Sequence, residues 1–157
     1  MFTIRDATIS DVPEILAMIR ELAEYERLSH EVSASRESLS ENLFGPKRVA
    51  EAMLAEWDGR AAGYAIYFYN FSTFLGQPGL FVEDIFVRPA FRRRGIAREF
   101  FRRLAQRAIE RKCGRMEFSV LDWNKPALDF YRSVGAAPLT DWTIHRFVGE
   151  SLLRLAE

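Results

Sequence analysis

The sequence predicts an α/β protein built on a mixed sheet with helices on both faces, and three observations carry that reading. Runs of strand-like alternation are interspersed with runs of helical period. Three strand-like runs in the middle of the chain follow one another with no helix between them. The apolar stripes of the helical segments are one-sided, as a helix laid on a sheet requires. A length of 157 residues with 48% hydrophobic content suits one domain over residues 1–157. Such a chain buries about two thirds of its unfolded surface.

In order along the chain, Phe2 to Arg5 reads as a short strand. Asp11 stands three residues before Glu14 with Pro13 between them, an acidic entry to a helix. Its apolar stripe is Ile15, Leu16, Ile19, Leu22 and Ala23, and Tyr25 and Glu26 fall at or just past its last turn. Ser35 to Leu43 reads as a second, shorter helix halted by Gly45 and Pro46. The runs "VAEAMLAEWDG" and "RAAGYAIYFYNF" predict an antiparallel hairpin turning at Asp58 and Gly59, although the Ala, Glu and Met of the first run also suit a helix. "GLFVEDIFV" is the third strand, closed by Arg88 and Pro89. Ile96 to Arg111 is a helix with Ile96, Phe100, Phe101, Leu104, Ala108 and Ile109 on one face. "RMEFSVL" alternates as a strand, "NKPALDFYRSVG" is a short helix with Gly135 in the capping position, and "WTIHRFV" is a last strand.

Charge and composition narrow the function. Basic and acidic residues both total 22, so no bulk electrostatic attraction to nucleic acid is expected. The single cysteine, Cys113, leaves no internal disulfide, and with only His30 and His145 as imidazoles no metal site is expected. "MFTIRDATISDVPEI" lacks the basic segment and unbroken apolar run expected of a secretory leader, and no apolar run approaches the roughly 20 residues of a membrane helix. A cytoplasmic protein with no membrane partner is the expectation.

The chemistry concentrates in "FVEDIFVRPAFRRRGIAREFFRRLAQRAI", residues 81–109. A strand that runs through "RRRGIA" into a helix presents free backbone N–H groups at the positive end of a helix dipole, which makes an anion site. Gly95 removes a Cβ from that approach, the small Ala97 does much the same, and Arg92, Arg93, Arg94 and Arg98 add charge-assisted donors. The pyrophosphate of a nucleotide-like cofactor is the natural guest; a solvated arginine turn with Gly95 as helix entry is the alternative. Neither G-x-G-x-x-G nor G-K-[ST] is present, which disfavours nicotinamide cofactors and P-loop nucleotides. Glu83 and Asp84 interrupt the apolar strand. Adjacent strand residues face opposite sides, so at most one faces a cleft squarely unless a bulge turns the strand there.

Arg92-x-x-Gly95-x-Ala97 after "VEDIFV", with "NKPALDFYRSVGA" downstream, resembles the acetyl-CoA signature of the GNAT superfamily of N-acetyltransferases. "ELAEYE", "VEDIFV", "DWNKPALDFY" and the late "DWT" are similar to its diamine (spermidine/spermine) acetyltransferase branch, and the match runs along essentially the whole chain. The final glycine of the usual motif is here Ala97.

The resemblance implies the acyl-CoA N-acyltransferase fold, with a mostly antiparallel central sheet, and acetyl-CoA as co-substrate without metal. It implies a pyrophosphate loop over Arg93 to Arg98, including Ile96, and a pantetheine arm paired with the backbone of Ile85, Phe86 and Val87. Asn124, Pro126 and Ala127 would hold the arm from the other side. Tyr131 matches the general acid, which also lies against the cofactor, and Glu83 matches the base that relieves the amine of its proton, directly or through water. Tyr25, Glu26, Glu83 and Asp84 would line the pocket of a small-molecule amine. Burial in the strand would raise the pKa of Glu83. Family members commonly form homodimers.

Each of these residues also has a plainer reading. Tyr131 suits the core beside Leu128 and Phe130, Tyr25 and Glu26 an ordinary helix end, and Glu83 with Asp84 a structural pair. Trp142 reads as packing, and Cys113, His30 and His145 as inert. A competing function is a phosphate-gripping RNA- or ligand-binding module that uses Arg98, Arg102, Arg103, Arg107 and Arg111; the neutral net charge opposes it.

Overall fold

Five strands form one sheet in the order of the chain: β1 (Phe2–Asp6), β2 (Glu51–Trp57), β3 (Arg60–Ser72), β4 (Gln77–Val87) and β5 (Arg115–Phe118). The first four are antiparallel and β5 runs parallel to β4. The computed structural model describes residues 1–157, which fall into two compact units, Met1–Ser119 and Val120–Glu157. The sheet belongs to the first unit, together with α1 (Val12–Tyr25), α2 (Arg36–Phe44) and α3 (Ile96–Glu110). Asp58 and Gly59 both have positive φ, 47° and 77°, the backbone of a two-residue hairpin turn whose twist suits the strands it joins.

The sheet is buried on both faces. Ile15 and Met18 of α1 and Leu43 of α2 pack with Ala52, Leu54, Tyr64, Ile66 and Phe86. Ile96, Phe100, Leu104 and Ala108 of α3 pack with Ile4, Met53, Ala55, Ala65, Tyr67, Leu80 and Val82 on the opposite side. Because β2 contributes to both cores, its apolar run is continuous rather than alternating, which is why its residues suit a helix equally well.

Local chemistry starts the helices. The Asp11 carboxylate accepts from Thr8 N–H at 2.7 Å and takes both ends of the Arg5 guanidinium at 2.8 and 2.9 Å. Ser35 and Ser38 cap α2 reciprocally. Val12 and Met18 join the expected stripe of α1 as buried residues. On α3 the expected stripe is corrected at one position: Ile109 is 76% exposed. At about 100° per residue it lies past Ala108 and outside the arc from Ile96 to Phe101.

The second unit holds α4 (Lys125–Ser133) and α5 (Glu150–Leu155). Gly135 has φ 93°, and the N–H groups of Gly135 and Ala136 close α4 onto the carbonyls of Arg132 and Tyr131 at 3.1 and 3.0 Å. The expected last strand is not formed: Trp142 to Val148 carries no strand pairing. An extended run becomes a strand only through a ladder partner, and this unit contains no other strand. Gly149, with φ 58°, then turns the chain into α5, where the Ser151 hydroxyl bonds both the N–H and the carbonyl of Val148. No helix of the chain is long and apolar enough to cross a membrane.

Candidate active site

A bulge in β4 shapes the site. Ile66 pairs with Asp84 and Tyr67 with Val82, which leaves Glu83 as an extra residue opposite no one. The extra residue reverses the faces of the strand. Leu80 and Val82 pack towards α3, whereas Phe86 packs towards α1 and α2. Asp84 therefore turns to the α1 side with its partner Ile66, and Glu83 stands exposed. The two acids of the sequence thus stand on one distorted stretch, as a bulge was expected to allow.

Asp84 does not stand alone on that face. The hydroxyl of the fully buried Tyr64 donates to Asp84 Oδ2 at 3.2 Å. Burial pushes the Asp84 carboxyl up to about 6, the Glu83 charge adds to the rise, the Tyr64 hydrogen bond opposes it, and Glu26 adds again. Glu26 caps the end of α1 and is itself raised by burial. Tyr64 is raised well above an ordinary phenol, first by burial and then by Asp84. The expected desolvation thus falls on Asp84 instead of the exposed Glu83, because the bulge points Asp84 inward. Tyr64 is a functional candidate that sequence reasoning missed. Its one signal was a tyrosine in an apolar strand, whose buried hydroxyl requires a partner.

Beyond the bulge, one edge of β4 opens. β5 pairs with β4 only from Gly79 to Val82, so from Glu83 to Val87 no strand of the sheet continues along that edge. On the other edge Ile85, Phe86 and Val87 stay paired with Ala65, Tyr64 and Gly63. The side chain of Phe86 is buried, so this residue offers an incoming chain its backbone alone.

The turn from β4 into α3 carries the residues expected to form an anion site. Gly95 is the N-cap of α3 with φ 84°, a conformation that an L side chain resists, and a Cβ added there would meet nothing within 4 Å. No side chain caps the first turn. Ile96 is sealed in the core, so it too contributes main chain, and Ala97 follows it. Arg92 is already engaged: its Nε donates to the Val87 carbonyl at 2.9 Å, and its guanidinium lies 5.1 Å from the Tyr25 ring centroid. Arg94 lies 4.5 Å from the Trp57 ring centroid. Arg93, with φ 60°, and Arg98 make no ion pair or ring contact. These main-chain donors and two uncommitted arginines fit a diphosphate.

In the second unit Asn124 caps α4, its Oδ1 accepting from Ala127 N–H at 3.4 Å, with Pro126 in the first turn. Tyr131 sits partly buried on the same helix, edge-on to Phe130 at 5.7 Å. One helix thus carries all four expected residues of this segment.

The arginines of α3 are largely paired with local acids. Arg102 and Arg103 hold Glu99 at 2.6 and 3.0 Å, Arg107 bonds Asp6, Glu51 and the Tyr67 hydroxyl, and Arg111 lies 5.0 Å from the Tyr69 ring centroid.

The model of the acetyltransferase (GNAT) family matches residues 15–136. The chain is 38% identical to thialysine N-epsilon-acetyltransferase of Bos taurus, over 98% of this chain and 96% of that one. It is 33% identical to the spermidine/spermine N(1)-acetyltransferase-like protein 1 of Homo sapiens, over 99% of this chain and 24% of that longer one. The crystal structure of ribosomal-protein-alanine N-acetyltransferase from Brucella melitensis shares the fold, with a TM-score of 0.76 at 22% identity over 94% of this chain and 100% of that one. A family model that spans most of the chain, and a relative 38% identical over nearly all of it, show that the chain belongs to the acetyltransferase (GNAT) family and is an acetyl-CoA-dependent N-acetyltransferase.

Proposed function

We infer that the acceptor is a small cationic primary amine, a diamine, polyamine or lysine-like molecule such as thialysine, acetylated by direct attack in a ternary complex. The observation that supports this reading is the group of three carboxylates, Glu26, Glu83 and Asp84, gathered at the β4 bulge without a basic side chain paired to any of them. Such a group attracts and orients an ammonium. A primary amine with a pKa near 10.4 is almost wholly protonated at neutral pH, so it must lose a proton before it attacks a thioester.

In this reading Asp84 and Glu26 hold the cation, and the exposed Glu83 takes the proton through water. Acetyl-CoA supplies the thioester. The amides around Gly95, with Arg93 and Arg98, bind its diphosphate, the open edge of β4 from Ile85 to Val87 aligns its arm, and Asn124, Pro126 and Ala127 flank that arm. Tyr131, with a phenol protonated at neutral pH, delivers a proton to the departing sulfur. The reading takes residues 1–157 as one catalytic domain of a cytoplasmic homodimer that requires no metal, nucleic acid or membrane. The local acid partners of Arg102, Arg103 and Arg107 support the omission of nucleic acid.

CoA release measured over a panel of putrescine, spermidine, thialysine and a lysine peptide tests the acceptor. A small cationic amine should exceed the peptide by about tenfold or more in kcat/KM, the scale of one lost charge contact. Preference for the peptide would reassign the enzyme to protein acetylation.

A further inference from the structure

Asp84 has one hydrogen-bond partner, the Tyr64 hydroxyl, and no cation pairs with it. The charged and titratable groups about it are the Glu83 carboxylate from β4, the Glu26 carboxylate from the end of α1 and Tyr64 from β3. Arg92 stands over the neighbouring rings of Tyr25 and Phe86, and α2 adds the apolar Leu43 to this face. Two acids therefore disfavour the ionised form of Asp84, and one hydroxyl favours it.

Packing does not explain that hydroxyl. The Tyr64 ring fills the core against Phe86 at 6.2 Å, a contact a phenylalanine would make equally well. A buried hydroxyl costs stability unless it finds a partner, and this one finds the carboxylate. We propose that Tyr64 is a positioning residue of the transfer reaction, whose hydroxyl aims the Asp84 carboxylate and holds it ionised to receive the ammonium of the acceptor. The proposal rests on the acceptor reading above.

Tyr64→Phe tests it with two readouts. The first is the titration of Asp84 by carboxyl 13C chemical shift in the protein alone. The second is the pH profile of kcat/KM for the amine, with the affinity for CoA measured beside it. Loss of the hydrogen bond to the charged form should move both the Asp84 midpoint and the acidic limb up by about half to one pH unit. KM for the amine should rise several-fold near pH 6.5 while the affinity for CoA stays unchanged. The same substitution on an Asp84→Asn background should have little further effect on kcat/KM. An unmoved Asp84 midpoint, or an effect of equal size on that background, overturns the proposal. Should no amine of the panel be turned over, the acceptor reading fails, and the chemical-shift titration still decides whether Tyr64 holds the carboxylate ionised.

Discussion

Asp84 carries the electrostatic cost of the site. A carboxyl raised from 3.8 to about 6 keeps a proton in the folded state that the unfolded chain has already lost. Stability therefore falls as pH rises through that window, by roughly 3 kcal/mol when the window is fully crossed. Asp84→Asn removes the charge and retains the shape. In urea unfolding it should be more stable than the wild type by about 1–3 kcal/mol at pH 7.5, and no more stable near pH 4. The same difference at both pH values would show that burial of the charge is not the cause. Asp11 behaves in the opposite sense: the Arg5 guanidinium holds its carboxyl at about 2, so its contribution is complete above 3.8 and is lost as pH falls through about 2.

Among the elements, the hairpin of β3 and β4 determines the geometry of the site, and at Gly63 its two backbones approach closely. A Cβ on Gly63 would stand 2.5 Å from the Phe86 carbonyl oxygen and 3.3 Å from Val87 Cα, on the segment proposed to carry the pantetheine arm. Gly63→Ala should push β4 outward, costing about 1–3 kcal/mol in thermal unfolding, as overpacking does, and weakening acetyl-CoA affinity in step. A variant within 0.5 kcal/mol of the wild type with unchanged affinity would show that the close approach is dispensable, at about the level of a neutral surface change.

The legibility of the elements followed their physics. α1, α3 and the Asp58–Gly59 turn were readable because one-sided stripes and turn residues act over a few positions. The bulge was readable only as a condition, since two adjacent acids in a strand demand one without showing which residue is extruded. Tyr64 was not readable, because its partner is 20 residues away across a ladder whose register slips at the bulge. The run from Trp142 to Val148 is rich in strand-forming residues, but pairing is a property of the neighbour and not of the run.

Over the whole molecule, the matched family region, residues 15–136, crosses the boundary between the two units at Ser119 and Val120. The carboxylates, the Gly95 turn and the open edge of β4 lie in the first unit, and Asn124 and Tyr131 in the second. Net neutrality hides a local division of charge, with acids at the bulge and arginines at the start of α3. Acids and arginines so divided suit the proposed pairing of a cationic acceptor with an anionic donor.

The most direct test of this account is kcat/KM for spermidine and thialysine, at low and high salt, in the wild type and in a Glu26→Gln, Asp84→Asn double variant. The account predicts a loss of about 10- to 100-fold at low salt in the variant, with most of the salt dependence gone and acetyl-CoA affinity retained. Equal kcat/KM and an unchanged salt dependence in the two proteins would contradict it.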